Sequence, residues 1–404
     1  MSDFNLQPAK DKIIYADNAA TTSVAPAVLE SMLPFLTKRF GNASSIYSLG
    51  VQSREAVEKS RNTIARCLNA EPSEIYFTSG GTESDNWAIR SAFKINLNKK
   101  HAVSSKIEHH AVLHSFKALE KEGLRVSYLG VDSNGLVDVK EFSQTVREDT
   151  SFASIMMANN EIGTIEPVKE LSVICKEHGV LFHTDAVQAV GHVKVDVKEL
   201  GVDMLSFSAH KFHGPKGIGG IFIRKGINLL PFMEGGAQEN KMRAGTENVA
   251  GIVGMAKALE IATQNMTSNN KKVTQMRNHL IKSLLGIDRS RLNGDPVIRL
   301  PGNANFCFEG IEGESLILNL DLNGICASSG SACTSGSLEP SHVLLALGIS
   351  HSVAHGSLRI TLCEENTLQE VNFIIQKVKE TVEKLRLMSP VWEKIKTMES
   401  AGFG

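Results

Sequence analysis

The sequence predicts an α/β protein of two domains: a large one with a mostly parallel sheet covered by helices, and a smaller α+β one. Three observations carry this. The chain has 404 residues, more than one simple core accommodates. Its middle alternates short apolar runs with amphipathic stretches of helical period, the mark of parallel strands joined by crossover helices. After Gln264 that alternation stops at a polar stretch, Asn265 to Lys272, which we take as the changeover between domains. The expected division is 16–264 for the large domain and 1–15 with 265–404 for the small one. The short N-terminal arm joins the small domain because such an arm stays ordered only where it docks.

Each element has a local reason. Glu74 to Ser84 reads as a strand, a glycine turn at Gly80-Gly81 and a helix start. Ala153 to Ala158 is a strand that runs out into Asn159-Asn160-Glu161. A helix then begins near Pro167, with Val168, Leu171, Ile174 and Cys175 on one face, and Gly179 stops it. Val180 to Phe182 opens the next strand, ending in His183-Thr184-Asp185. Met204 to Phe207 is another, ending at Lys211, and Gly217 to Arg224 is a strand turning back. Val249 to Gln264 is apolar and alanine-rich, hence helical, and Leu368 to about Leu387 is a terminal helix.

Composition narrows the function. Hydrophobic residues make up 42% and charged residues 22%, ordinary values for a water-soluble enzyme. Forty-three basic residues against 44 acidic ones leave no basic field for nucleic acid or a membrane surface. Met1 to Lys12 has no apolar run, and no stretch approaches the length of a spanning helix. Six scattered cysteines without a CxxC pair suit reduced thiols in a cytoplasm. The pairs His183-x-Asp185 and His210-x-x-His213 do not form a recognisable ligand set, so no metal centre is expected.

Chemistry concentrates in two places. Cys333 sits in Ser328-Ser329-Gly330-Ser331-Ala332-Cys333-Thr334-Ser335-Gly336-Ser337, small, polar and without apolar period, where a thiol is useful for reactivity rather than packing. Asn160, Asp185 and Lys211 end three successive expected strands, where open α/β sheets bind their ligands. A lysine able to form a Schiff base, with an aspartate to hold a pyridinium nitrogen, is the kit of pyridoxal phosphate chemistry. Singly, Lys211 reads equally as a surface lysine and Asp185 as a helix cap. The helix start at Gly81-Thr82 would hold a phosphate on its backbone N–H groups, or be an ordinary strand-to-helix turn. His109 is either a solvated helix start or a ring stacked on an aromatic cofactor. No Walker lysine follows the glycines, and Gly217 to Phe222 lacks the dinucleotide fingerprint. Ser208-x-x-Lys211 with Ser84-Asp85-Asn86 mimics a penicillin-recognising set, but the order is reversed and no K-T-G occurs.

From Tyr15-Ala16-Asp17-Asn18-Ala19-Ala20-Thr21-Thr22 to Ser389-Pro390-Val391-Trp392-Glu393 the chain resembles the class V, fold-type I pyridoxal phosphate enzymes. Within them it is similar to the cysteine desulfurases of the NifS/IscS type. The most specific match is the Cys333 loop with Glu339-Pro340-Ser341-His342-Val343-Leu344, which looks like the group I signature of a long mobile cysteine loop, about 328–339. The resemblance implies a catalytic set of Cys333, Lys211 and His109, with Lys211 binding pyridoxal 5'-phosphate covalently, Asp185 pairing its ring nitrogen and His109 stacking on the ring. It further implies Asn160 and Gln188 at the ring substituents, and Gly81, Thr82, Ser208, His210 and, across a homodimer interface, Thr246 at the phosphate. Asn42 and Arg359 match positions that bind the substrate carboxylate, and Cys333 is a candidate transient iron–sulfur ligand. The chain departs from the family at Ala43 and Tyr47, in Gly41-Asn42-Ala43-Ser44-Ser45-Ile46-Tyr47, and at Cys363, where a glycine is common.

The expected activity is conversion of L-cysteine to L-alanine, with sulfur passing to a cysteine persulfide and on to an acceptor or scaffold protein of the IscU/NifU type for iron–sulfur cluster assembly. The alternatives are a class V aminotransferase or related lyase on the same fold, and a cofactor-free sulfur carrier using the thiol alone.

Overall fold

The computed structural model describes residues 13–329 and 340–400; Cys333 and most of its expected loop lie outside them. Twelve strands occur among the described residues: β1 Ile14–Tyr15, β2 Ile75–Thr78, β3 His101–Ser105, β4 Arg125–Leu129, β5 Thr150–Ser154, β6 Leu181–Asp185, β7 Met204–Ser208, β8 Gly219–Ile223, β9 Ser290–Asn293, β10 Asn303–Phe308, β11 Ile325–Cys326 and β12 Ser357–Thr361. Seven form one sheet in the order β2-β8-β7-β6-β5-β3-β4. Only β8 is antiparallel to its neighbours, so six strands share a direction and their carboxyl ends open on one edge. The antiparallel return of β8 agrees with the expected strand turning back.

Alternation along the strands sends side chains into two cores. Leu205 of β7, Phe222 of β8 and Ala153 of β5 join one cluster, with Phe182 and the helix Val168–Glu177. Met204, Ile221, Ile223 and Phe152 join the other, packed against Trp87 of the helix Gly81–Lys94 and Phe116 of the helix His110–Glu120. Both faces are therefore covered, as a parallel sheet requires. Fully burying each such Leu, Ile or Phe contributes about 1.5–3 kcal/mol. Gly220 stands opposite Phe207 on the neighbouring strand, and the ring lies over it: a Cβ there would stand 2.4 Å from Phe207 Cζ.

A second, antiparallel sheet has the order β12-β10-β9, and its apolar cluster includes Phe306, Phe308, Leu358 and Ile360 with Ile374 and Val378 of the helix Leu368–Leu387. That helix occupies its expected span and starts with a capping box, Thr367 and Glu370 satisfying each other's backbone N–H groups. β1 pairs with β11 in parallel, so the end of the expected N-terminal arm, Ile14–Tyr15, docks on the C-terminal part.

Two local expectations need correcting. The polar stretch Asn265 to Lys272 does not break the chain; it lies inside one helix, Val249–Leu284. Asn and Ser disfavour helix only weakly, no Gly or Pro interrupts, and apolar anchors at both ends (Ile252, Met255 and Leu259; Val273, Met276 and Leu280) hold the helix through it. The expected strand Ala153–Ala158 stops at Ser154. Beyond it the backbone still runs along β6, with Ile155 and Met157 N–H donating to the His183 and Asp185 carbonyls. None of the helices among the described residues is long and apolar enough to cross a membrane.

Candidate active site

Two neighbouring strand ends build the floor. Asp185 is the last residue of β6, Ser208 the last of β7, and Lys211 closes a 3-10 turn, Ala209–Lys211, directly after it. The turn is fixed from outside: His192 Nε2 bonds the Lys211 carbonyl at 2.8 Å, and the Thr22 N–H donates to the His210 carbonyl at 2.9 Å. Lys211 Nζ donates to the carbonyls of Ala19 (2.6 Å) and Ala20 (2.8 Å). Gln188 Nε2 donates to Ala19 O at 3.0 Å, so the Asp17–Thr22 segment links both residues.

Asp185 is buried, and its Oδ1 accepts the Val187 N–H at 2.9 Å. Burial pushes its carboxyl upward, while the Val187 N–H and the Lys211 charge oppose the rise. Asp85, on the helix Gly81–Lys94, is raised too, first by burial and then by Asp185, and its Oδ1 has no hydrogen-bond partner among the described residues. Of the two, Asp185 is the one whose charged form is supported, by the Lys211 charge and the Val187 N–H. Donor atoms of Asp85, Asp185 and His109 lie within 4.8 Å of one another, which seats the His109 ring beside the Asp185 carboxylate. His109 caps the helix His110–Glu120, its Nδ1 accepting the Ala111 N–H at 3.1 Å, so the ring proton is on Nε2. Burial, then the Lys211 charge, pushes its pKa down to about 4, and the ring is neutral at neutral pH. His183 spends both nitrogens on Ser154 (2.8 Å) and Ser206 (2.9 Å), a buried structural role.

Facing this floor is the start of the helix Gly81–Lys94, whose first N–H groups point into the site region beside Ser208; a Cβ on Gly80 would stand 3.8 Å from Ser208 Oγ. A Cβ on Gly81 would come within 2.5 Å of Val187 Cγ2, so the helix can approach the floor only with glycine there. Thr82 is exposed on the first turn. His210 Nδ1 bonds Thr21 Oγ1 at 3.1 Å, and its pKa is pushed down to about 4 by burial and then Lys211. Thr246 is exposed in the loop before the helix Val249–Leu284.

Arg359 lies on β12 and is 3% exposed. Its Nη2 pairs with Asp17 Oδ1 at 2.7 Å and its Nη1 donates to the Asn160 carbonyl at 3.0 Å, while its buried Nε has no partner among the described residues. One donor of a buried cation is thus left over, beside the Asn160 loop. Asn42 stands apart: it is exposed, its Oδ1 accepts the Ser44 N–H at 2.9 Å, and no hydrogen bond among the described residues joins it to Arg359. Both flanks of the Cys333 segment are anchored at this site. Ser328 exchanges two backbone hydrogen bonds with Arg359 itself. Ser341 Oγ donates to Glu161 Oε2 at 2.5 Å, and the His342 ring bonds the Glu108 carbonyl at 3.0 Å, next to Asn160 and His109.

Sequence reasoning missed several supporting groups. Asp17 is the counter-ion of Arg359, and Asp85 the acid under Asp185. Arg243 holds Glu83 at 2.9 Å, and Arg61 grips Glu239 through two bonds of 2.9 and 2.7 Å. The Glu239 carboxylate also accepts the Phe77 N–H, tying the loop before Thr246 to β2. Glu239, Asn240 and Lys241 are all left-handed (φ 45°, 55° and 68°), a strain the Arg61 brace sustains. Asp17 stands in the run Asp17-Asn18-Ala19-Ala20, where nothing local marks it as a counter-ion.

A buried aspartate, a neutral imidazole beside it, an amine and a helix N-terminus with a buried hydroxyl are a donor set that suits pyridoxal phosphate. The residues present fit it. The family model for class V aminotransferases matches residues 14–374. A curated relative from Methanosarcina thermophila, "Cysteine desulfurase IscS", is 53% identical over 386 residues, covering 95% of this chain and 96% of the relative. Another of that name, from Dictyoglomus turgidum, is 51% identical over 93% of this chain and 96% of its own length. A solved structure described as a NifS-like protein superposes with a TM-score of 0.88 at 39% identity, covering 93% of this chain and all of that one. With its fold, its floor of Asp185 and Lys211 and these relatives, the chain belongs to the pyridoxal phosphate-dependent class V aminotransferase family, in its cysteine desulfurase branch.

Proposed function

We propose that the chain removes sulfur from L-cysteine, yielding L-alanine and a persulfide on Cys333 that is passed to an acceptor protein for iron–sulfur cluster assembly. The observation that supports this most is the anchoring of both flanks of the Cys333 segment on site residues, Ser328 on Arg359 and Ser341 on Glu161. Cys333 lies in the chain between these two anchors.

When bound, pyridoxal phosphate supplies a carbonyl that condenses with amines and a ring that accommodates the electron pair released at the substrate Cα. Lys211 would hold it covalently through Nζ, and the same atom would take the Cα proton. Asp185 keeps a proton on the ring nitrogen through charge, His109 packs on the ring face, and the helix start at Gly81-Thr82 with Ser208 and His210 holds the phosphate. Asn160 and Gln188 fix the ring's edge. Arg359 orients the substrate carboxylate through the donor left over at Nε, and Asn42 is the second residue assigned to that carboxylate. The Cys333 thiolate forms a bond to the substrate sulfur as the Cβ–S bond breaks; the electron pair leaves with the carbon skeleton, which is protonated and released as alanine.

The same proposal holds the enzyme to be a cytoplasmic homodimer with Thr246 reaching the partner's phosphate site, and its acceptor to be of the IscU/NifU type. It retains the division 16–264 against 1–15 with 265–404, which the separate apolar cluster around Phe306 and Leu358 supports. Purified holoenzyme given L-cysteine and a small thiol reductant, with no keto acid, should release alanine and sulfide in equal amounts. Alanine that appears only on adding a keto acid would instead mark an aminotransferase.

A further inference from the structure

Two residues beyond Lys211, His213 adopts a left-handed backbone, φ 61°, that a side-chain-bearing residue keeps only when its neighbours hold it. Thr22 and Ser23 do so. The His213 N–H donates to Thr22 Oγ1 at 2.8 Å, and its Nδ1 bonds the Ser23 carbonyl at 3.1 Å. A carbonyl only accepts, so Nδ1 carries the proton and Nε2 presents a bare lone pair. That Nε2 is buried and has no hydrogen-bond partner among the described residues. Glu364 Oε1 lies 3.8 Å away, too far for a hydrogen bond.

The lone pair points into a group of ligand atoms. His213 Nε2, Cys363 Sγ and a Glu364 carboxylate oxygen all lie within 4.8 Å of one another. Cys363 is 6% exposed, whereas Glu364 is partly exposed and opens the group to solvent. A cleft of about 30 Å³ borders all three, room for one ion with a water. None of the three is used at the cofactor floor or at Arg359. They come from different sheets: His213 follows the 3-10 turn after β7, and Cys363 and Glu364 follow β12.

We propose that His213, Cys363 and Glu364 form a site for Zn²⁺ or a similar borderline divalent cation, with water as fourth ligand, clasping the Lys211 turn to the end of β12. One imidazole, one thiolate and one carboxylate lie within zinc's ligand range, whereas Mg²⁺ and Ca²⁺ want oxygen throughout. Metal–ligand bonds of about 2.0–2.3 Å put tetrahedral ligands roughly 3.5 Å apart, so side-chain rotations of about 1 Å close the set. The Ser23 carbonyl is the outer partner that a metal-bound histidine ordinarily has, fixing its tautomer in advance. Binding exchanges the Cys363 thiol proton for the metal, releases that proton to solvent and involves no change of oxidation state. His192 lines the same cleft and bonds the Lys211 carbonyl, so an ion here sits one side chain away from the backbone of the lysine.

The test titrates Co²⁺ into cofactor-loaded enzyme carrying Cys333→Ser, so that the loop thiol contributes nothing. One equivalent should bind with thiolate-to-cobalt charge-transfer and tetrahedral d–d bands, and Zn²⁺ should displace it. Adding Cys363→Ala, a small change that the buried position tolerates, should erase the charge-transfer band. His213→Gln should weaken binding at least about 100-fold, since losing a ligand costs more than losing an outer partner. Excess Zn²⁺ should raise the melting midpoint of the parent and not of the Cys363→Ala protein. Absence of the bands in the parent, or their persistence after Cys363→Ala, would overturn the site.

Discussion

Replacing Arg359 by Gln separates two things the guanidinium does. It is 3% exposed and its Nη2 is 2.7 Å from Asp17, whose side chain keeps 17% of its exposure. Removing one partner of a buried pair costs about 3–5 kcal/mol, and the residual hydration of Asp17 argues for the lower end. The Nε donor left over in the structure would make a charge-assisted bond to a substrate carboxylate, worth about 1.5–3 kcal/mol. At about 1.4 kcal/mol per decade, R359Q should therefore raise KM for cysteine roughly 10–100-fold and lose several degrees of melting temperature. Asp17→Asn should behave differently. It strands the more buried partner, a guanidinium whose side chain is 4% exposed, so it should also cost about 3–5 kcal/mol of stability, but it keeps the Nε donor and should leave KM unchanged or lower. The double variant should be more stable than R359Q alone, because no lone carboxylate remains. The assay is steady-state desulfuration alongside thermal melts of cofactor-loaded protein. An unchanged KM in R359Q, or equal KM increases in R359Q and D17N, would show that Arg359 only braces the fold.

Lys211→Ala should cut turnover at least about 10³-fold, since the covalent anchor and the proton carrier are lost together, and should abolish borohydride-trappable cofactor; retained turnover would move the role to another lysine. Asp185→Asn should slow turnover by roughly 10²-fold while cofactor occupancy persists, because Gly81, Ser208 and Lys211 remain; a normal kcat would contradict the charge role. Glu166 is buried, and desolvation, opposed only partly by the Val137 N–H at 3.0 Å, pushes its pKa up to about 8. Between the unfolded value of about 4.3 and 8 the native state holds a proton that the unfolded chain has lost, so stability falls as pH rises. Glu166→Gln, which keeps an acceptor for Val137, should flatten that decline and gain about 1–2 kcal/mol at pH 8, read from melts at pH 5 and 8. An unaltered pH slope would mean that Glu166 is ionised when buried.

What was legible in the sequence follows the physics of each feature. The β6 and β7 ends were readable because short apolar runs ending in a polar residue are what a covered parallel sheet produces, and Asp185 and Lys211 stand there. The turn at Gly80-Gly81 was readable because glycine marks close approach, here to Val187. The continuous helix through Asn265 to Lys272 was not, since its anchors are tertiary and lie outside the polar window. Nor were Asp17, Asp85 or Arg243, whose meaning comes from partners far along the chain; nothing local distinguishes Asp17 from a cap until Arg359 is 2.7 Å away. The cluster of His213, Cys363 and Glu364 was concealed for the same reason: its ligands share no spacing. Asn42 is the reverse case, legible by motif but not joined to Arg359 by any hydrogen bond among the described residues.

The account stands or falls on where the sulfur goes. A single turnover of holoenzyme with one equivalent of L-cysteine, quenched with an alkylating agent and mapped by mass spectrometry, measures it directly. The account predicts one added sulfur on the Cys333 peptide for each alanine formed, and none on Cys326 or Cys363. Alanine without that sulfur on Cys333, or the sulfur on another cysteine at full yield, would contradict it.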